Sequence, residues 1–186
     1  IAGVFGAFIP FWCIEGDAVV TETANSNTGR GRLPAYEMKL KAQFLEKGIY
    51  SYDKAYNGSY RDFTANWYEL GYLLVCHTRT EFGKETFSRA LRRTGNIPFI
   101  LVPFSNSLYR QTGYGKSRLY NHITGKVLQE WIASDSALTI SKSDVHSPGT
   151  DKFYTNRLRP AVMEDGSVIA RKTSIDDIPR IIRIDT

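Results

Sequence analysis

Two carboxylates early in the chain have the spacing most suggestive of chemistry. In Pro10-Phe11-Trp12-Cys13-Ile14-Glu15-Gly16-Asp17-Ala18-Val19-Val20-Thr21-Glu22, Trp12, Glu15, Val19 and Glu22 recur at intervals of three, four and three. A helix would therefore set all four on one face. A carboxylate on a helix face is most often solvated or ion-paired, but a pair on an inward face can also hold a cation or steady the groups that do. Farther along, Tyr68 offers a complementary function. A phenol of pKa about 10 stays protonated at neutral pH and can aim a hydrogen bond at a developing oxyanion. Hydrolysis by a metal-activated water needs three protein ligands, an open position for the water, a base and such a donor. The histidines do not complete this set: His77, His122 and His146 are far apart with no i,i+4 pair, and each reads as packing, capping or facing water.

The elements that must position these groups are mainly helical. The first helix is predicted from Phe11 to about Ala24, followed by a loop through Asn25-Ser26-Asn27-Thr28-Gly29-Arg30-Gly31-Arg32. Pro34 suits the first turn of a second helix that ends at Gly48. Tyr50 to Phe63 lacks a period and reads as a long loop with at most one helical turn. Helical spacing returns from Thr64 to Thr80, and Glu81-Phe82-Gly83 separates it from an amphipathic helix, Lys84 to Arg93. Phe99 to Val102, set between Pro98 and Pro103, fits strand or helix equally. A short helix after Ser105, a Thr-Gly-Tyr-Gly turn and a longer helix from Ser117 to Ser134 finish this part.

The tail has a different pattern. Residues 143–152 have linker composition. Arg157 to Met163, Ser167 to Thr173 and Arg180 to Asp185 then read as short strands, with Glu164-Asp165-Gly166 as a hairpin turn. Three strands make a thin core with open edges, so the tail reads as part of a larger sheet. The expected organisation is a helical domain over 1–142, a linker over 143–152 and strands over 153–186.

Three motifs carry a resemblance to a known family. The Trp12-x-x-Glu15-Gly16-x-Ala18 segment resembles the second metal-binding helix of gluzincin zinc peptidases of the aminopeptidase-N-like branch, and Tyr68-Glu69-Leu70-Gly71 resembles the Tyr-Glu-x-Gly step of the same enzymes. The loop Gly29-Arg30-Gly31-Arg32-x-Pro34 is similar to a bacterial envelope subgroup that fuses a gluzincin-like domain to a TolB-type β-propeller. Arg159-Pro160-Ala161, Asp165-Gly166-Ser167 and Ile182-Arg183-Ile184-Asp185 resemble one propeller repeat. The resemblance implies Glu15 as the third zinc ligand, Glu22 as a carboxylate buttressing the ligands, and Tyr68 as the catalytic donor to the tetrahedral intermediate. Gly16 would let the neighbouring helix approach closely. Arg30 and Arg32 are either loop charges or a grip for a substrate carboxylate. The H-E-x-x-H helix of that family has no counterpart in these residues, and the chain opens on Ile1. The expectation is a piece of a longer protein in which zinc and a peptide or protein substrate bind, the piece itself being metal-free and inactive. The resemblance places the whole in the periplasm or on the cell surface, with membrane attachment through an upstream signal or lipid anchor an open alternative.

A different class of reading also stands: a non-catalytic platform of peptidase fold whose propeller and aromatic loop, Tyr50 to Tyr60, bind a protein or glycan. Composition does not choose between them. The 186 residues are long enough for a real core, and an aromatic share of 13% argues against disorder. The net charge of +5 comes from bases interspersed with acids, and no groove-reading motif accompanies it, so nucleic acid is not an expected partner. Cys13 and Cys76 lie in apolar helical stretches and read as buried thiols, a disulfide between them being the alternative. No signal peptide is present, and no apolar run reaches the roughly 18–20 residues of a membrane span. Ile1 to Phe11 is apolar but broken by Gly3, Gly6 and Pro10, and reads as a loop packed on the core.

Overall fold

The computed structural model describes residues 8–97, 99–139 and 151–185. Most of the expected linker, His146, and most of the apolar segment Ile1 to Phe11 lie outside the described residues. The chain divides into two compact units, Ile1–Gly58 with Thr64–Ala137, and Ser59–Phe63 with Leu138–Thr186. The first is helical and the second is a small antiparallel sheet, as the pattern predicts.

In the helical unit the order is α1 (Phe11–Asn25), a 3-10 turn (Arg30–Arg32), α2 (Pro34–Lys47), α3 (Tyr52–Asn57), α4 (Trp67–Phe82), α5 (Thr86–Asn96), α6 (Pro103–Thr112) and α7 (Lys116–Ser136). Pro34 and Pro103 open their helices, where a missing N–H costs nothing. Gly48, Gly83 and Gly113 close α2, α4 and α6 at positive φ. The expected start of α4 at Thr64 moves to Trp67 because Asn66 and Glu69 form a capping box. Asn66 Oδ1 accepts from the N–H groups of Tyr68 and Glu69, both at 2.9 Å, and Glu69 Oε2 accepts from Asn66 N–H at 3.2 Å. That reciprocal pair satisfies donors that would otherwise be orphaned. Within the expected loop Tyr50 to Phe63, α3 is the single short helix, capped by the Ser51 hydroxyl.

The core is built on Trp12, which is 1% exposed and meets Phe87 and Phe104 edge-on, each with ring centroids 6.2 Å away. Its indole N–H donates to the Tyr52 hydroxyl at 3.0 Å. Tyr120 in turn donates to the Tyr50 carbonyl at 2.9 Å, so the buried polar tips are paired while the rings fill the interior. Phe44 on α2 packs against Trp131 on α7 at 5.5 Å. Burying each such large side chain contributes about 1.5–3 kcal/mol.

The second unit has three strands, β1 (Thr155–Val162), β2 (Val168–Ser174) and β3 (Arg180–Ile184), paired antiparallel in the order β1-β2-β3. Gly166, at φ 84, makes the expected β1–β2 turn, and Asp165 accepts from the Ser167 N–H and hydroxyl. Arg159 at φ 53 and Pro160 coincide with a break in the β1–β2 register between Leu158 and Ala161. Ser59–Phe63 belong to this unit: Tyr154 N–H donates to the Tyr60 carbonyl at 3.0 Å, and the Phe63 and Tyr154 rings lie 5.5 Å apart. Among its described residues Ala170 is the one buried apolar side chain, in keeping with the thin core expected of three strands.

Candidate functional site

Helices α1 and α4 cross with their backbones in contact at two glycines. A Cβ on Gly71 would lie 2.8 Å from the N and Cα of Gly16 and would collide with the Trp12 carbonyl; a Cβ on Gly16 would strike the Gly71 backbone. An ion pair between Asp17 on α1 and Arg79 on α4 reinforces the crossing. The expected role of Gly16, admitting a close neighbour, is thus fulfilled, and the neighbour is the glycine of Tyr68-Glu69-Leu70-Gly71.

The crossing brings Glu15 and Tyr68 together. Glu15 is half-buried on α1, one residue before the contact, and Tyr68 sits in the first turn of α4 with its N–H held by Asn66. The Glu15 carboxylate lies near the Tyr68 hydroxyl, and its attraction for the phenol proton is the main cause that raises the phenol pKa above its usual 10.0. The negative charge of Glu15 acts in the same direction, because a phenolate beside a carboxylate is disfavoured.

Glu22 and Arg30 complete the group. Arg30 places Nη2 at 2.8 Å and Nε at 2.9 Å from Glu22 Oε2, while its backbone N–H donates to Oε1 at 3.2 Å. These bonds hold the Glu22 carboxyl below its usual range, the Arg30 side-chain hydrogen bond first among the causes. The same guanidinium lies 5.2 Å from the centroid of the Tyr68 ring, within cation–π range. Four residues named from the sequence therefore form one contiguous set: Glu22, Arg30, Tyr68 and Glu15. Arg32 stands apart, donating from Nη2 to the Thr23 carbonyl at 2.9 Å and from Nε to the Ser26 carbonyl at 3.0 Å. It caps the end of α1.

The loop reaches this position because its glycines are pressed against neighbours. Gly29 is buried against the backbone of Thr23, and Gly31 lies on the Tyr72 ring, where an added Cβ would collide. Tyr72 donates to the Gly31 carbonyl at 3.1 Å, and the Thr23 hydroxyl accepts from Gly31 N–H at 3.1 Å. Sequence reasoning passed over Tyr72, although its place four residues after Tyr68 sets both on one helix face. It also missed Tyr36, whose buried hydroxyl has no hydrogen-bond partner among the described residues and whose ring meets Tyr72 edge-on at 5.8 Å. Burial pushes the phenols of Tyr36 and Tyr72 to about 12. Nothing in the spacing of Tyr36 marks it out.

Beside Tyr68 lies an open depression of about 350 Å³ lined by Tyr56, Ala65, Trp67 and Tyr68 among others. Its rim is aromatic: Phe11 stacks on Trp67 at 4.8 Å, and Trp67 on Tyr56 at 6.1 Å.

The remaining reactive groups lie elsewhere. His77 is half-buried, and desolvation lowers its pKa. His122 pairs with Glu81 at 2.6 Å and stacks on Tyr114 at 4.6 Å. Cys13 and Cys76 are both free thiols, the former buried with its pKa pushed to about 12 by desolvation. Among the described residues no cluster of three or more His, Cys, Asp or Glu could hold a metal ion, and no helix is long and apolar enough to cross a membrane.

No family model, curated protein or solved structure matches this chain. Its function is therefore argued from the residues and their geometry.

Proposed function

We propose that the chain contributes the later part of a gluzincin-type zinc peptidase centre, with Glu15 as a metal ligand, Glu22 as the carboxylate that steadies its surroundings and Tyr68 as donor to the oxyanion. The observation that supports this reading most directly is the close crossing at Gly16 and Gly71, which brings Glu15 near Tyr68, two groups distant in sequence that such a centre would need within reach of one substrate carbonyl. The described residues do not make up a zinc site alone, since they hold no group of three donors and Glu22 is engaged by Arg30. Glu15 fits as one ligand of a set whose imidazoles would come from outside these elements. Zinc, when bound, would supply Lewis-acid activation of water.

The chain's own contribution is positional. A phenol is protonated at neutral pH, and Glu15 raises the Tyr68 pKa further, so the hydroxyl stays a donor through the range in which peptide hydrolysis would run and would turn its single proton from Glu15 to the oxyanion. Arg30 lies over the Tyr68 ring and at the same time pairs with Glu22. The depression beside Tyr68 would take a bulky side chain of a peptide or protein substrate. We read the strand unit as the opening of a TolB-type propeller, on the Asp165-Gly166 turn and the antiparallel meander, which would place the whole protein in a bacterial periplasm or on the cell surface.

The second reading, a non-catalytic peptidase-fold platform, draws on the stacked shelf of exposed Phe11 and Trp67 with half-buried Tyr56, which suits a protein or glycan partner. Zinc content and peptide hydrolysis of the gene product containing this chain separate the two. The peptidase reading expects about one zinc per chain, lowered by Glu15→Gln, and turnover lost in Tyr68→Phe with zinc retained. Unchanged zinc in the Glu15→Gln protein would remove Glu15 from the centre, and a zinc-free, inactive gene product would leave the platform.

A further inference from the structure

The connection between α5 and α6 carries Phe99, Ile100, Leu101 and Val102 in sequence, and they are 98%, 40%, 88% and 61% exposed. Four consecutive apolar residues on a protruding turn are not explained by the core, which the neighbouring helices fill with Phe87, Ala90, Phe104 and Leu108. Large exposed apolar patches mark interaction surfaces. The backbone keeps the turn outward: Val102, β-branched, stands at φ 47 immediately before Pro103, a conformation such residues adopt only when held there. Asn106 holds it, donating from Nδ2 to the Leu101 carbonyl at 2.7 Å and from its backbone N–H to the Val102 carbonyl at 3.1 Å.

Along the chain on either side of the turn the charge is of one sign. From Thr86 to Gln129 the chain has no Asp or Glu and seven Lys or Arg. Of these, Lys126 pairs with Glu81 and Lys116 lies over the Tyr52 ring. Arg89, Arg92, Arg93, Arg110 and Arg118 have no ion-pair partner among the described residues. Arg92 stands four residues before the end of α5 at Asn96, so a rise of 1.5 Å per residue puts it about 6 Å from the base of the turn. That is inside the roughly 8 Å Debye length of physiological salt.

We propose that this turn inserts into the surface of an anionic lipid bilayer, with Phe99 and Leu101 entering the acyl boundary and Arg92 and Arg93 engaging the phosphate headgroups. An apolar tip backed by unpaired arginines matches an interface whose depth is hydrocarbon and whose surface is negative. A nucleic acid would use the arginines and leave the tip unexplained. A protein partner would need a shaped apolar groove with acids placed opposite the arginines, whereas an anionic bilayer meets both features without a shaped pocket. The inference is independent of the peptidase reading, since it uses none of the residues around Glu15.

The test is co-sedimentation of the 186-residue chain with vesicles of phosphatidylglycerol and phosphatidylcholine, compared with phosphatidylcholine alone, at low and high salt. Binding to the anionic vesicles is expected, weakened by salt. Phe99→Ser with Leu101→Ser should reduce the partition coefficient at least about tenfold by removing two apolar side chains from the acyl region. Arg92→Gln with Arg93→Gln should reduce it about thirtyfold, at roughly 1 kcal/mol per charge near the surface. Both pairs lie outside the apolar core, and unchanged far-UV circular dichroism would confirm that the variants fold. No binding to anionic vesicles overturns the proposal. So does binding lost in the arginine variant but kept in the Phe99/Leu101 variant, which would indicate a polyanion site, and so does equal binding to both vesicle types.

Discussion

Gly16 and Gly71 touch backbone to backbone where α1 crosses α4, and this contact sets the distance between Glu15 and Tyr68. Each glycine stands next to or near the residue it positions: Gly16 follows Glu15 directly, and Gly71 lies three residues, just under one helical turn, after Tyr68. A side chain at either position would push the helices apart and with them the carboxylate and the phenol.

Gly71→Ala should therefore destabilise the chain by about 1–3 kcal/mol, the usual range for overpacking a tight contact, while also lowering the Tyr68 pKa toward its ordinary value. Gly125→Ala is the matched control, because an added Cβ there meets nothing within 4 Å. Lying inside α7, that substitution should raise stability by about 0.5–1 kcal/mol. Urea unfolding of the two variants measures both, and equal shifts in the midpoint would mean that the crossing is not tight.

The titration of Tyr68 should respond in opposite directions to its two charged neighbours. Glu15→Gln removes the acceptor that raises the phenol pKa and should bring it down, whereas Arg30→Gln removes a positive charge that lowers it and should push it higher. Ring-carbon chemical shifts of labelled tyrosine followed against pH report the site directly. A phenol indifferent to Glu15→Gln would show that the pair is not formed in solution.

Alkaline pH should unfold the protein through its buried phenols. Tyr36, Tyr52, Tyr72 and Tyr120 are each raised from 10.0 to about 12 by burial. The unfolded chain releases these protons first, so the stability they contribute is fully present below about pH 10 and is lost as pH climbs through about 12. Denaturation midpoints should be flat from neutrality to about pH 9 and fall steeply above. Stability unchanged up to pH 12 would mean that these hydroxyls ionise no later in the folded chain than in the unfolded one.

Asn66→Ala removes the acceptor for two N–H groups at the start of α4. The expected loss is about 1 kcal/mol, with fraying of the turn that carries Tyr68. Thermal unfolding gives the first quantity, and amide exchange at Tyr68 and Glu69 the second; protection at these two amides equal to that of the parent would show that the cap is dispensable.

Much of this architecture was legible along the chain. Periodicity located the helices, and Asp165-Gly166 located the hairpin, because both signals depend on residues within a turn or two of each other. Errors at the ends had local causes. The start of α4 lies later than the expected Thr64 because helical spacing continues upstream of Trp67, whereas the Asn66–Glu69 capping box begins the helix at Trp67. Phe99 to Val102 could not be assigned because four apolar residues between prolines suit a buried strand, a helix or an exposed turn alike. The charge pattern is hidden for a different reason: the bases from Thr86 to Gln129 form no run, and the stretch differs from its surroundings only in containing no acids.

Sequence alone determined that Glu15 and Glu22 share a helix face, that a glycine follows the first of them, and that a Tyr-Glu-Leu-Gly step opens a later helix, since i,i+3 and i,i+4 relations follow from helix geometry. Tertiary structure alone decided that the two glycines meet, that Arg30 folds back to lock Glu22 and cover Tyr68, and that Arg32, with the same local chemistry, caps α1 instead. The physical reason is that a helix's own geometry reaches only a few residues, whereas which groups become neighbours across a crossing depends on where two backbones can approach, and that is set by the absence of side chains at Gly16 and Gly71 together.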